Sequence, residues 1–228
     1  MNVSEYVWHR LSEWGLKRVY GYPGDGVGGL DVALERARET MEYVQVRHEE
    51  MAAFMASAHA KFTGQVGLCY ATSGPGAIHL LNGLYDAKMD HVPVVALVGQ
   101  QARSGLGASY QQEVDLQNLF SDVAEFVGLA SVPVQVRHLL DRAVRIAHVR
   151  RGVSCVILPN DLQELEYKDP PMAHGATHTG VGYAGPAKLP DEESLRAAAE
   201  VLNGGNKVAM LVGAGALDAT DEVIAVAE

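Results

Sequence analysis

The chain has 228 residues, is 48% hydrophobic and 20% charged, and carries a formal net charge of −10. That length suits one large domain or a domain and a half. The acidic balance, with no basic block, excludes wrapping of a nucleic-acid backbone, and no apolar run approaches the ~20 residues of a membrane span. Cys69 and Cys155 lie in the apolar runs Val66–Tyr70 and Val153–Leu158. They read as buried small hydrophobes of a reducing cytoplasm, not as a disulfide framework. Met1 to Trp14 is charged and amphipathic, unlike a signal peptide.

In chain order, Asn2-Val3-Ser4-Glu5 is a capping-box pattern that opens a helix, with Val3, Val7, Leu11 and Trp14 at helical spacing and Gly15 as its stop. Lys17–Tyr22 is a first strand. It runs into Pro23-Gly24-Asp25-Gly26-Val27-Gly28-Gly29, and a helix follows through Leu30, Ala33 and Leu34. Tyr43–Arg47 is a second strand and His48–Thr63 a helix stopped by Gly64. Val66–Thr72, apolar throughout, is a strand buried on both faces. The turn Ser73-Gly74-Pro75-Gly76 leads to a helix through Ile78, Leu80, Leu81, Leu84 and Ala87. Val92–Val98 is a fourth strand, and Gly99–Gln112 is a Gly-, Ser- and Gln-rich loop of functional type. A short helix at Val114–Phe120, a strand near Glu125–Ala130, a helix at Val134–Arg150 and a strand at Val153–Leu158 follow.

This β-α alternation predicts an α/β domain over residues 1–165, a six-stranded and mainly parallel sheet with helices on both faces. Residues 166–189, Pro-rich and aperiodic, read as a linker. His174 and His178 within it read as solvated side chains, and no pair of histidines has metal-ligand spacing. From 190 a second α/β domain opens, with a helix carrying Leu195, Ala198, Ala199 and Leu202, a strand at Lys207–Val212, the turn Gly213-Ala214-Gly215-Ala216 and a last helix. The chain stops at Ala225-Val226-Ala227-Glu228 without a cap, so it reads as the truncated start of that domain.

The sharpest junction is Val44-Gln45-Val46-Arg47-His48-Glu49-Glu50-Met51, where a strand hands over directly to a helix. Ligands of open α/β sheets bind at the carboxyl ends of strands, so Glu49 stands where a ligand is expected. Glycine-rich turns frame it. Gly24-x-Gly26-x-x-Gly29, with Glu49 some twenty residues on, fits a nicotinamide dinucleotide fingerprint. Pro23 crowds that turn, however, and Asp25 would repel a pyrophosphate. The competing reading is that these glycines permit close helix–strand packing. Thr72-Ser73-Gly74-Pro75-Gly76 exposes bare backbone beside a helix N-terminus, which suits a planar ring or an anion.

Together, the first turn, Arg47-His48-Glu49-Glu50, Thr72-Ser73-Gly74-Pro75-Gly76 with Asn82-Gly83-Leu84, Asp90-His91-Val92-Pro93-Val94 and Gln111-Gln112-Glu113 resemble the N-terminal, pyrimidine-binding domain of thiamine-diphosphate enzymes of the pyruvate oxidase and acetolactate synthase branch. The tail from Pro190 resembles the start of that family's central domain, which binds FAD in many members; Gly213 and Gly215 are the matching candidates.

The resemblance implies roles. Glu49 is the catalytic carboxyl, hydrogen-bonding the ring nitrogen of the cofactor's aminopyrimidine and favouring the imino tautomer that can accept a proton. Glu50 lies about 100° round the helix and cannot share that ring. Pro23 and Gly24 flank the pyrimidine. Thr72, Gly74, Pro75, Gly76 and Asn82 line the cofactor, and Gln112 lies near the substrate. Gln111 stands where many oxidase-like relatives carry an aromatic, which leaves the substrate open. Burial against Met51, Phe54 and the cofactor would favour the protonated carboxyl over the opposing helix N-terminus.

The family holds Mg²⁺ with a C-terminal Gly-Asp-Gly…Asn motif, which Gly24-Asp25-Gly26 only imitates. No metal ligand is therefore assigned here. The implied parent is a cytoplasmic homodimer or dimer of dimers that decarboxylates a 2-oxo acid such as pyruvate. An acetolactate synthase-like carboligase is the nearest alternative, and a nicotinamide-dependent dehydrogenase a more distant one.

Overall fold

The computed structural model describes residues 1–183 and 189–228. They fall into two units, divided in the interval between those ranges.

The first unit is built on six short β-branched and apolar segments: β1 (Arg18–Gly21), β2 (Glu42–Gln45), β3 (Gly67–Ala71), β4 (Val94–Gln100), β5 (Ala124–Leu129) and β6 (Val153–Pro159). They form one sheet in the order β2-β1-β3-β4-β6-β5, and every pairing is parallel. Each crossover therefore needs a helix. After α1 (Val3–Glu13), which precedes the first strand, these are α2 (Gly28–Arg36), α3 (Glu49–Thr63), α4 (Pro75–Met89), α5 (Leu116–Leu119) and α6 (Gln135–Arg150). β3, β4 and β6 are buried along their whole length, which is why their sequences show no polar alternation.

Side chains of successive strand residues divide between two cores. Leu68, Tyr70, Val95, Leu97, Val156 and Leu158 pack with α1, α2 and α6. Cys69, Ala71, Val94, Ala96, Val98 and Ile157 pack with α3 and α4. The second layer is thin because α3 presents Ala52, Ala53, Ala56 and Ala60 to it, so α3 and α4 lie close to the strands and to each other. The capping box at Asn2 forms as expected, Glu5 N donating to Asn2 Oδ1 at 2.8 Å and Asn2 N to Glu5 Oε2 at 3.0 Å.

Residues 160–183 do not run free. After Pro159 a single helical turn, α7 (Asn160–Gln163), buries Leu162 and Gln163. Tyr167 stacks on Tyr6 with ring centroids 3.5 Å apart. Further on, Arg137 Nε donates to Thr179 O at 3.2 Å and Arg145 Nη2 to Gly180 O at 2.8 Å. Beyond α7 the Pro-rich composition disfavours regular structure, not attachment: the carbonyls of an irregular segment still find arginines on α6.

The second unit contains α8 (Glu192–Asn203), capped by Asp191, a 3₁₀ turn over Ala214–Ala219 and α9 (Thr220–Ala227). The strand expected at Lys207–Val212 is absent. A strand is defined by its neighbours, and no described residue pairs with this apolar run.

Candidate functional site

The strand order creates the site. From β1 the chain moves outward to β2 and then returns to the other side of β1 for β3. The carboxyl ends of β1 and β3 thus flank a topological switch point, the place where such sheets bind ligands. The turns after these two strands meet there. Gly26 N donates to Thr72 Oγ1 at 2.9 Å, and a Cβ on Gly24 would stand 2.6 Å from Thr72 Cβ. Asp31 secures the first turn from below: Tyr70 OH donates to one of its oxygens at 2.6 Å and Gly24 N to the other at 3.3 Å. Burial pushes the Asp31 carboxyl up, against the hydrogen bonds from Tyr70 and Gly24.

The dinucleotide-like glycines are used internally. A Cβ on Gly26 would lie 2.9 Å from Ser73 N, and one on Gly29 2.8 Å from Gln163 Cβ. The bare backbone that a pyrophosphate would need is covered by the protein itself, as the packing reading of that turn requires.

The second turn is strained where the site opens. Gly74 has φ 61° and ψ −118°, a region closed to L side chains, and Pro75 then starts α4. A Cβ on Gly74 would lie 2.7 Å from the carbonyl oxygen of Gln112. Gln112 is itself left-handed, with φ 62°, a sparsely populated conformation of the kind that gathers at ligand sites. The loop carrying it is pinned by two buried glutamines. Gln100 Nε2 donates to Val114 O at 3.0 Å, and Gln101 Nε2 donates to Gln111 O at 2.7 Å and to Ser73 Oγ at 3.2 Å. Between this loop and the first turn lies a cleft of about 430 Å³, lined by Asp25, Gly26, Gln101, Tyr110, Gln111 and Gln112 among others.

Glu49 opens α3 and is only 8% exposed. Met51 and Phe54, expected beside it, are 51% and 37% exposed. Gly76 and His79 on α4 approach it directly. A Cβ on Gly76 would stand 3.2 Å from Glu49 Oε1, and His79 Nδ1 lies 2.9 Å from Glu49 Oε2. His48, the α3 N-cap, accepts from Glu50 N at 3.3 Å and stacks its ring on His79 at 4.3 Å between centroids. Glu50 turns aside, as the helical angle demands, and accepts from Asn82 Nδ2 at 3.0 Å.

The structure thus gathers Pro23, Gly24, Glu49, Thr72, Gly74, Pro75, Gly76 and Gln112 around the two turns, while Asn82 contacts Glu50. Gly213 and Gly215 lie in the second unit at the start of its 3₁₀ turn, with nothing within 4 Å of a Cβ built on either. His79 is the residue that sequence reading missed. Its signal was periodicity: His79 lies three positions after Gly76 and four before Gly83 on one helix face.

A parallel α/β domain with a carboxyl buried at its switch point defines a small-molecule-binding class of protein. Comparison with known sequences makes the class specific. Residues 1–119 match the family "Thiamine pyrophosphate enzyme, N-terminal TPP binding domain", and the chain belongs to that family. A putative thiamine pyrophosphate-containing protein, YdaP, of Bacillus subtilis is 37% identical over 96% of this chain and 37% of its own length. A pyruvate oxidase of Lactiplantibacillus plantarum is 42% identical over 67% of this chain and 25% of its own length. An acetolactate synthase of Arthrospira platensis is 32% identical over 91% of this chain and 36% of its own length. The chain therefore spans well under half the length of these relatives.

Proposed function

We propose that this chain is the cofactor-activating part of a pyruvate oxidase-like enzyme that decarboxylates a 2-oxo acid. The observation that carries the reading is the buried carboxyl of Glu49 at the β1/β3 switch point, faced by a glycine that leaves room beside it. The residues present fit a thiamine diphosphate pyrimidine: a buried acid for a ring nitrogen, and the glycine turns Pro23-Gly24 and Gly74-Pro75-Gly76 for a flat ring. Thr72 braces the two turns against each other. When bound, thiamine diphosphate supplies the electron sink for loss of carbon dioxide. Glu49 holds a proton at the ring nitrogen, and His79 fixes the orientation of its carboxyl. Gln112 stands at the cleft where a substrate would enter, and Asn82 steadies Glu50 so that the two acids stay apart.

No residue of this chain is assigned to Mg²⁺, which we place with the diphosphate on another part of the parent protein. FAD at Gly213 and Gly215 is supported by resemblance alone. Exposed Met51, Phe54, Ile78 and Met89 on α3 and α4 offer an apolar face to a second copy, consistent with a homodimer or dimer of dimers. Among the described residues no helix is long and apolar enough to cross a membrane. Cys69 and Cys155 are free and buried, which fits a cytoplasmic setting.

An acetolactate synthase-like carboligation is the second reading, favoured by the relatives of that name. Pyruvate turnover by the full-length protein separates the two: acetate with electron transfer supports the first, acetolactate the second. Glu49→Gln in the same protein should lower turnover about 10²–10⁴-fold, the usual worth of a positioned acid or base. Unchanged turnover would remove Glu49 from the mechanism.

A further inference from the structure

The fold places His48, Glu49 and His79 together, with one ligand atom from each lying within 4.8 Å of the others. Sequence spacing hides this set, because His79 arrives from a different helix. Two imidazoles and one carboxylate are the donor set that Zn²⁺ takes in open sites, with a solvent molecule completing the tetrahedron. We propose that this triad is a binding site for a borderline divalent ion of the Zn²⁺ class, and that ion and aminopyrimidine exclude one another at Glu49.

The geometry requires little adjustment. Zn–N and Zn–O bonds of about 2.0–2.1 Å place tetrahedral ligand atoms about 3.3 Å apart. Both imidazoles have substantial solvent exposure, 47% for His48 and 41% for His79, so they can swing inward without disturbing the core. Their rings are stacked 4.3 Å apart, with 28° between planes. Glu49 is the fixed member, held at the start of α3.

Support behind the ligands is also present. With Nε2 of His48 on the ion, Nδ1 carries the proton, gives up the 3.3 Å bond it accepts from Glu50 N and turns to the Glu50 carboxylate, whose Oε2 lies 3.8 Å away. Glu50 is in turn held by Asn82 Nδ2 at 3.0 Å. That is the carboxylate–histidine relay that orients metal-bound imidazoles. His79 gives up its 2.9 Å hydrogen bond to Glu49, and both partners regain it as coordinate bonds. The carboxyl that the proposed function reserves for a ring nitrogen is then committed to the ion. Ion binding stands on this geometry alone; the mutual exclusion rests on the assignment of Glu49 made above.

The test is calorimetric titration of the 228-residue chain with ZnCl₂ in a non-chelating buffer, repeated with Co²⁺ to read tetrahedral coordination by visible absorption. One equivalent should bind saturably. His48→Ala and His79→Ala should each weaken binding about tenfold or more, Asn82→Ala should also weaken it, and the linker pair His174→Ala/His178→Ala should leave it unchanged. Circular dichroism melts of the two exposed histidine variants confirm folding. Wild-type affinity in His79→Ala, or absence of saturable binding, overturns the site. A second arm adds 4-amino-5-hydroxymethyl-2-methylpyrimidine, which lacks a chelating diphosphate. Weaker apparent Zn²⁺ affinity supports mutual exclusion. An ion site that is confirmed by the variants but indifferent to a pyrimidine shown to bind overturns the exclusion and the assignment of Glu49, while the ion site stands.

Discussion

Asp141 on α6 is fully buried and accepts four hydrogen bonds from three residues, so Asp141→Asn is a severe and readable perturbation. Arg10 donates to it through Nε and Nη2, both at 2.8 Å, and Trp14 Nε1 donates at 2.7 Å. Thr179 Oγ1 donates from the segment after α7. Burial alone would push this carboxyl up, but the hydrogen bonds from Arg10, Thr179 and Trp14 outweigh it and hold the group below its ordinary value. Breaking a buried ion pair by removing one partner costs about 3–5 kcal/mol, since the other charge is left uncompensated. Asparagine keeps one acceptor, and Arg10 retains Glu13 at 2.8 Å. The expected loss is therefore near the lower end, about 3 kcal/mol at pH 7, read as a fall in urea midpoint at constant slope. The pH dependence has a definite sign. A carboxyl depressed on folding stabilises above its unfolded value of about 3.9 and ceases to do so as pH falls through the lower folded value. Wild type and Asp141→Asn should therefore differ fully at pH 6, begin to converge below about pH 4 and coincide only below the lower folded value of Asp141. The double variant Arg10→Met/Asp141→Leu should cost less than Asp141→Asn alone, because no orphaned charge remains. A loss under about 1 kcal/mol at pH 7, the worth of a surface pair, or a gap that persists at low pH, would refute the reasoning.

Two further outcomes follow from the same kind of geometry. Gly74→Ala forces a Cβ to 2.7 Å from Gln112 O in a backbone region closed to alanine. It should cost about 1–3 kcal/mol in a urea melt and speed proteolysis of the loop at 101–113; an unchanged melt would mean that the turn relaxes freely. Cys69, whose thiol burial pushes up to about 12, and Cys155, raised likewise by burial, should resist a thiol reagent at pH 8 in the native protein and react fully in urea. Rapid native labelling would show that the second core opens.

The order of elements in the first unit was legible because parallel sheets buried on both faces write themselves as uninterrupted apolar runs. Val66–Thr72 and Val153–Leu158 needed no tertiary information. The strand at Lys207–Val212 failed for the complementary reason. Its composition matches those runs, yet apolar composition states only a wish for burial, and pairing depends on neighbours that the described residues do not provide. The attachment of residues 164–183 was hidden too, because much of what holds it is Arg10, Arg137 and Arg145 reaching carbonyl oxygens, and carbonyls have no sequence signature.

Glu49 and the two glycine turns were legible because each sits at a strand end, where position in the chain and position in space coincide. His79 was not, since its importance comes from α3 and α4 lying side by side. That closeness is itself written in the sequence, in the alanines of α3 and in Gly83, where a Cβ would stand 2.5 Å from Phe54 N. Small residues at Ala53 and Gly83 draw the helices together, and only at that spacing can an imidazole on α4 reach a carboxyl on α3. Gly83→Ala should thus move His79 away from Glu49 without touching either. In the full-length protein it should depress turnover more than it depresses stability, read as kcat beside the urea midpoint. A variant that loses stability and keeps turnover would show that the 2.9 Å contact between His79 and Glu49 is incidental to the site.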